Sequence, residues 1–423
     1  MRRPDAILRS LFEAAVAAAD PALVVAPHLP SPPRGRTVVV GAGKAAAAMA
    51  RAVEAVWQGP LSGLVITRYG HVVPCRSIEV VEAGHPLPDA HGEAAARRLL
   101  ALARDLGPDD LLLCLISGGA SALASVPAPG LDLADVRAVT AALLRSGATI
   151  AEMNTVRRHL SAIAAGRLAA AAAPAAVVAL LISDVPGDDP LTIGSGPTVP
   201  DPGSPADALD ILRRHGISEP GRVRRFLAEG GAPGPREGDS RLARVSTTVI
   251  ATPRGALLAA AEGARAAGLL PVVLGDALQG EAREAARVLA PMALSCAHHG
   301  EPVAPPCVLL SGGEFTVTVQ GSGRGGPNAE FALALALALD GHPGVWALAA
   351  DTDGIDGTET NAGALIGPDT LARARRLGLS PRAFLADNDA FGFFSALGDL
   401  VETGPTLTNV NDFRAILVEG LPE

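Results

Sequence analysis

Short runs of valine, isoleucine and leucine alternate along this chain with alanine-rich stretches whose apolar residues recur at helical spacing. That alternation is the pattern of βα units, and the nearly unbroken apolar runs suit strands covered on both faces of a parallel sheet. Strands are expected at 36–41 (RTVVVG), 63–67 (GLVIT), 78–82 (IEVVE), 111–116 (LLLCLI) and 177–182 (VVALLI). Between about 201 and 245 the chain turns to proline, glycine and charge (DPGSPAD, EGGAPGPREGDS), the composition of a short helix followed by a linker. The division is placed there, giving a Rossmann-like N-terminal domain over 1–240 and a second α/β domain over 241–423. Further strands are expected at 247–251 (TTVIA), 270–274 (LPVVL), 307–311 (CVLLS), 315–319 (FTVTV), 345–350 (VWALAA) and 414–418 (RAILV). The runs at 307–311 and 315–319 lie too close together for a crossover helix, so the second sheet is expected to be mixed.

Composition narrows the class. A chain of 423 residues exceeds one ordinary core, and 48% apolar residues with only 3% aromatics point to close helix-on-sheet packing through small side chains. A net charge of −9 excludes a broad nucleic-acid surface, which needs clustered cations, but leaves room for a local anion site. Cys75, Cys114, Cys296 and Cys307 show no CxxC spacing, so neither a zinc site nor a disulfide framework is expected, and Cys114 and Cys307 read as core. In the opening MRRPDAILRSLFEAAVAAAD the acidic Asp5, Glu13 and Asp20 interrupt the pattern of a targeting segment, which leaves a surface helix. The alanine-rich run 162–182 carries Gly166, Arg167 and Pro174 and does not span a membrane. The expectation is a cytoplasmic protein acting on small molecules without membrane partners; a homodimer is left open.

Ligands of open α/β sheets gather beyond the carboxyl ends of the strands, so the turns after the expected strands carry the chemistry. The first is Gly41-Ala42-Gly43-Lys44, where glycines admit close approach of an anion and a following helix offers free N–H groups. A plain strand-to-helix turn explains the glycines equally well. Lys44, however, is the only lysine beside 34 arginines. A compact ammonium at that one place does what a guanidinium fork cannot. The fourth strand ends in Ser117-Gly118-Gly119-Ala120-Ser121, a candidate nest for phosphate or carboxylate, or else a tight packing turn. The fifth ends in Ser183-Asp184 followed by Asp188 and Asp189; Asp184, at the strand mouth, is the leading base or metal ligand, and the other two suit solvated turn positions. Upstream, helical spacing puts Asn154 and Arg157 on one side of a helix near its start, where they can hold a small carboxylate, while one or two of Asn154, Arg157 and Arg158 face solvent; a capped amphipathic helix explains the segment nearly as well.

The second half echoes the first, since PCVLLSGGEF like LLLCLISGGAS runs an apolar strand into Ser-Gly-Gly. Ser311, Gly312 and Gly313 with Glu314 are candidates there. Arg324, set among glycines in GSGRGGPN, is expected to be mobile and able to close over transferring phosphate; a solvated hairpin tip is the alternative. The run Asp351-Thr352-Asp353-Gly354-Ile355-Asp356-Gly357 is an incomplete calcium loop, lacking the closing glutamate, and suits Mg²⁺ with phosphate better.

Taken together, GAGKAA, AGHPLPDA, LISGGASAL, MNTVRRHLSAIAAGRLA, LISDVPGDDPLTIGSGPTVPDP, LSGGEFTVTVQGSGRGGPNAEFAL, AADTDGIDGT and TGPTLTNVNDF resemble the ATP-dependent glycerate 2-kinases of the MOFRL class, over nearly the whole chain. The resemblance implies transfer of the γ-phosphate of ATP to the 2-hydroxyl of D-glycerate with Mg²⁺, on a Rossmann-like domain and a distinct C-terminal α/β domain with a cleft between them. It also implies that Lys44 and Arg324 are the cations of that cleft. Glycine-rich turns 41–43, 117–121 and 311–313 would cradle nucleotide phosphates, and Asp184, Glu314, Asp351 and Asp353 would supply metal ligands. One departure is Ala251-Thr252-Pro253-Arg254-Gly255, where an asparagine-containing turn is expected. Two other readings stand beside this one. An NAD(P)H-dependent hydroxypyruvate reductase is disfavoured because the first turn lacks the third glycine of GxGxxG and the acidic residues of the strand at 78–82, Glu79 and Glu82, follow too late. A non-catalytic sensor of small acids would need the cations and glycines but not the carboxylates.

Overall fold

The computed structural model describes residues 3–218 and 220–420, which divide into two compact units. One spans Pro21–Asp184 and Asp188–Ile250; the other takes the chain from Ala251 onward, the N-terminal helix up to Asp20 and Val185–Gly187. The first unit is built on a six-stranded sheet of β1 (Thr37–Ala42), β2 (Leu61–Arg68), β3 (Ile78–Ala83), β4 (Leu111–Ile116), β5 (Ala176–Ile182) and β6 (Val245–Ala251). The order is β3-β2-β1-β4-β5-β6, with β1 to β5 parallel. This is the Rossmann-like sheet expected from the apolar runs. Central β1 and β4 are buried along their whole length, which accounts for their lack of polar alternation. Their order reverses the direction of winding, so the crevice beyond their carboxyl ends is the topological switch point.

The expected strand at 247–251 belongs to this sheet and not to the second one. It is the edge strand β6, half-buried along most of its length, and its lead-in is tied to β5 by a hydrogen bond from Val177 N to Arg244 O at 2.9 Å. Half-exposure explains why threonines occupy a strand that otherwise reads as core.

The second unit carries β7 (Leu270–Gly275), β8 (Gly280–Glu281), β9 (Cys307–Gly313), β10 (Phe315–Thr316), β11 (Val345–Asp351), β12 (Gly363–Ile366), β13 (Leu400–Val401) and β14 (Asp412–Val418). Its main sheet runs β13-β12-β11-β14-β9-β7 and is mixed: only β7 and β9 are parallel. The mixture does not come from the pair that suggested it. Gly313, at φ +98°, turns the chain out of the sheet, and the shortened β10 pairs in parallel with β8 as a separate ribbon. The N-terminal helix Pro4–Ala17 buries Ile7, Leu8, Leu11, Phe12 and Ala15, with the Phe12 ring 5.8 Å from that of Phe413. Its acidic residues mark the outer face of a core-forming amphipathic helix. Cys114 and Cys307 are buried as expected. Among the described residues no single helix is long and apolar enough to cross a membrane.

Candidate active site

At the switch point of the first unit, the turns after β1 and β4 are zipped together. Lys44 N donates to Gly118 O at 2.8 Å, Ala45 N to Ser117 Oγ at 3.0 Å, Gly43 N to Ile66 O at 3.1 Å, and Ser117 N to Ala42 O at 3.1 Å. Gly43, at φ +135°, passes so close to Ser117 that a Cβ would overlap its hydroxyl, and a Cβ on Gly41 would overlap the Leu115 carbonyl. The glycines therefore bring the two turns into contact, and the amides of residues 43–45 are engaged by the protein itself. What the first turn presents is the side chain of half-buried Lys44, at the start of the helix Ala46–Val56.

Around this corner the 183–197 segment packs through its own glycines. A Cβ on Gly194 would press on Ile116 and Ala120, and Ser195 Oγ lies 2.7 Å from Ser121 Oγ. Asp189 caps the turn, accepting from Leu191 N at 3.0 Å and Thr192 Oγ1 at 3.2 Å, which gives it the turn role expected of it. Asp184, half-buried, follows buried Ser183 directly off β5.

Asn154 and Arg157 lie in the helix Ile150–His159, started by a Thr149–Glu152 capping box. Arg157, Arg158 and His159 occupy its last turn and not its start. None of the three polar groups faces freely outward: Asn154 and Arg158 are buried, Arg158 bonds Asp201 at 2.8 Å, and Arg157 is half-buried. A cavity under the switch point is lined by Gly41, Ala42, Ser121, Arg157, Ser161 and Ser195, among others. Burial draws the Arg157 pKa below the ordinary guanidinium value.

In the second unit Ser311, Gly312 and Gly313 are not a turn. They form the buried end of β9, with Gly312 opposite Phe413 and Gly313 opposite Asp412. Gly313 is needed because the Leu278 backbone passes where a Cβ would stand. The carbonyls of Gly312 and Gly313 accept from Arg414 at 3.1 and 3.0 Å. Arg414, fully buried, also pairs with Asp412 at 2.5 Å and stacks on Phe315 at 3.6 Å. Asn328 joins Asp412 (2.7 Å) to Asp356, whose carboxylate accepts the amides of Asn328 and Ala329 at 2.9 and 2.8 Å and so caps the helix Pro327–Leu339. Burial pushes Asp356 up to about 7. This network escaped individual assignment in the sequence, although Asp356 in the 351–357 run, Asn328 in GSGRGGPN and Asp412 in TNVNDF each lay within a motif that stood out.

Arg324 is pinned, contrary to the mobility expected of an arginine among glycines. Its guanidinium pairs with Glu359 through both Nε (3.2 Å) and Nη2 and lies 4.6 Å over Phe391. The glycines let the loop nestle against 387–389, where Gly323 N donates to Asp387 O (2.9 Å) and Arg324 N to Asp389 Oδ1 (3.1 Å). Nothing in the sequence pattern singled out Glu359. The pair raises the arginine's pKa, so the side chain stays charged.

Asp351 and buried Asp353 each engage one oxygen with the turn's own amides, Asp353 N and Ile355 N, both at 2.8 Å; Glu314 is exposed. Among the described residues no three His, Cys, Asp or Glu side chains converge as a protein-built cage. Mg²⁺ does not require one, since it keeps waters and takes one or two carboxylates together with substrate phosphates. The all-oxygen donors at 351 and 353 fit that demand. At the departure noted in the sequence, Thr252 Oγ1 accepts from Gly255 N at 3.0 Å and caps the helix Pro253–Ala266.

The six-stranded Rossmann order with Lys44 at its switch point, together with a second unit built on a mixed sheet, defines a two-unit α/β enzyme class. The chain matches the Domain of unknown function DUF4147 over residues 7–228 and the MOFRL family over residues 307–412. It is 38% identical to D-glycerate 2-kinase of Thermotoga maritima, covering 95% of each chain. The crystal structure of glycerate kinase from the same organism superposes with a TM-score of 0.87 at 36% identity, over 98% of this chain and all of that one. A relative from Agrobacterium vitis, 56% identical over 97% of this chain and 94% of its own, carries the provisional name hydroxypyruvate reductase. The chain belongs to the glycerate 2-kinase family built from the DUF4147 and MOFRL regions.

Proposed function

We propose that this protein is a cytoplasmic, ATP- and Mg²⁺-dependent glycerate 2-kinase that converts D-glycerate to 2-phosphoglycerate. The observation that carries this reading is the end-to-end likeness to a solved glycerate kinase, at a TM-score of 0.87 over 98% of this chain. Phosphoryl transfer leaves little covalent work to a protein, so positioning and charge are the contributions to seek. Lys44 supplies a compact cation for the transferring phosphoryl oxygens, and Arg324, fixed by Glu359, supplies a preorganised second one. Asp184 accepts the 2-hydroxyl proton as the new O–P bond forms and the bond to the ADP oxygen breaks. Asn154 and Arg157 hold the acid. Ser117, Gly118, Gly119 and Ser121 remain the candidates for nucleotide phosphate, with Gly41 and Gly43 packing beside them, while the 311–313 segment serves the packing of β9 in its own unit. Asp351 and Asp353, with Asp184 and Glu314, are the residues that would hold Mg²⁺, which when bound neutralises phosphate charge.

The hydroxypyruvate reductase reading rests on the name of the Agrobacterium relative. An endpoint assay with D-glycerate and Mg·ATP, run beside hydroxypyruvate and NADH, separates the two. ADP and a phosphoglycerate are expected; consumption of NADH in place of ADP formation would refute the kinase reading.

A further inference from the structure

A groove on the first unit shares a wall with the cavity under the switch point. Neighbouring residues of two helices face opposite ways: Leu99 and Leu168 line the cavity, while Leu100 and Arg167 line the groove. Phe226, from the helix Gly221–Ala228, and prolines of the 231–235 loop close the groove's far side. Its volume is about 490 Å³, within the roughly 300–1,000 Å³ of small-molecule sites.

Three arginines, Arg104, Arg167 and Arg241, line this groove, and among the described residues no carboxylate does. Arg241 is exposed and held from outside the groove by Asp239, through Nε at 3.0 Å and Nη2 at 2.6 Å. Arg104, exposed in the last turn of the helix Ala90–Arg104, makes no ion pair among the described residues. Arg167 is half-buried and donates only to backbone carbonyls: Nη1 to Arg158 O at 3.0 Å and Ala164 O at 2.9 Å, and Nη2 to Ala232 O. Two of its five N–H groups are left over, and its buried Nε has no partner. Burial draws its pKa down to about 10. Three guanidiniums beside one carboxylate leave an excess that suits a dianion. A phosphate monoester brings about −1.5 to −2 charges and three acceptor oxygens at neutral pH. The floor of Leu100, Ala170, Ala171 and Phe226 suits a short apolar or planar body on that phosphate.

We propose that this groove is an effector site for a phosphate monoester with a small apolar or planar body, and that its occupant weakens binding of the acid on the other side of the shared wall. The effector role rests on the kinase reading for the identity of that acid; binding in the groove does not. Arg167 carries the coupling. Its Nη1 holds the carbonyl of Arg158, near the end of the helix that also bears Arg157, and the carbonyl of Ala164, which lines the cavity. A phosphate dianion competes with these neutral carbonyls for the same N–H groups, and the bidentate ionic pair is the stronger. Drawing the guanidinium toward the groove therefore loosens the segment that shapes the cavity.

The test titrates phenyl phosphate calorimetrically into the full chain held with saturating D-glycerate and a non-hydrolysable ATP analogue, so that the candidate active site is filled. One equivalent is expected to bind, with its Kd raised about 30-fold in the double variant Arg104→Gln, Arg241→Gln, whose exposed positions leave Arg167 in place. D-glycerate titrated without nucleotide is expected to bind about 3-fold more weakly when phenyl phosphate is present, in the wild type and not in the double variant. No binding to the filled protein, or binding undiminished in the double variant, overturns the site. An unchanged Kd for D-glycerate overturns the effector role, and so does a change that persists in the double variant, which is competition at the active site. Groove-dependent binding of phenyl phosphate in a protein that forms no ADP from D-glycerate and Mg·ATP defeats the kinase reading and leaves the site. ADP formation without such binding defeats the site and leaves the kinase.

Discussion

Arg157 in the first unit and Arg414 in the second are both withdrawn from solvent, and they are held in opposite ways. Arg414 is held by the fold: a carboxylate, two strand carbonyls and an aromatic face surround it, and although its Nε finds no partner it fastens the end of β9 to β14. Arg157 meets one distant amide oxygen and a cavity. The same contrast divides the two Ser-Gly-Gly segments. At 117–119 the Ser117 hydroxyl and the Gly118 carbonyl tie the turn after β4 to the amides of Ala45 and Lys44; at 311–313 the glycines let a strand run flush against the Leu278 backbone. A buried arginine that pairs with a carboxylate and strand carbonyls serves the fold, whereas one that meets a single distant amide oxygen beside a cavity is the candidate for contact with a ligand.

That contrast predicts a graded set of effects. Arg414→Met should be the most damaging, because it leaves Asp412 buried without its counter-ion; a loss of about 3–5 kcal/mol is expected by urea unfolding. A variant of near wild-type stability would show that Asp412 is neutral in the fold. Lys44→Arg should lower kcat about 10²- to 10³-fold with little change in melting temperature, since a fork cannot replace a compact ammonium at the end of this tight turn. Full turnover would remove Lys44 from the mechanism. Asp356 contributes a pH dependence. Its folded pKa, about 7, exceeds its ordinary 3.8, so between those values the native state retains a proton that the unfolded chain has released. Stability from this group therefore falls as pH rises from about 4 through 7. The corresponding component of a stability–pH profile should vanish in Asp356→Asn. Arg157→Met should have the smallest effect on the fold, within about 1 kcal/mol of wild type without ligand and of either sign. A loss approaching that of Arg414→Met would make Arg157 structural and erase the comparison.

Much of the first unit was legible because the central strands β1 and β4 are apolar on both faces and bounded by turn residues, and because Lys44 stands alone in an arginine-rich chain. What the sequence concealed depends on partners distant along the chain. The freedom expected of Arg324 disappears because Glu359, Phe391 and the 387–389 turn meet it, and no local spacing announces them. The strand at 247–251 joined the other sheet because edge position, not composition, decided its pairing. The Ser-Gly-Gly echo misled for a related reason: glycine marks a close backbone approach without saying whether a ligand or another strand makes it.

Phosphoryl transfer to the 2-hydroxyl of glycerate is tested most directly by phosphorus NMR of the reaction of the purified protein with D-glycerate and Mg·ATP. A 2-phosphoglycerate resonance growing in step with ADP, and absent with Lys44→Ala, is the predicted result. Formation of 3-phosphoglycerate, or a 2-phosphoglycerate signal undiminished in Lys44→Ala, would contradict it.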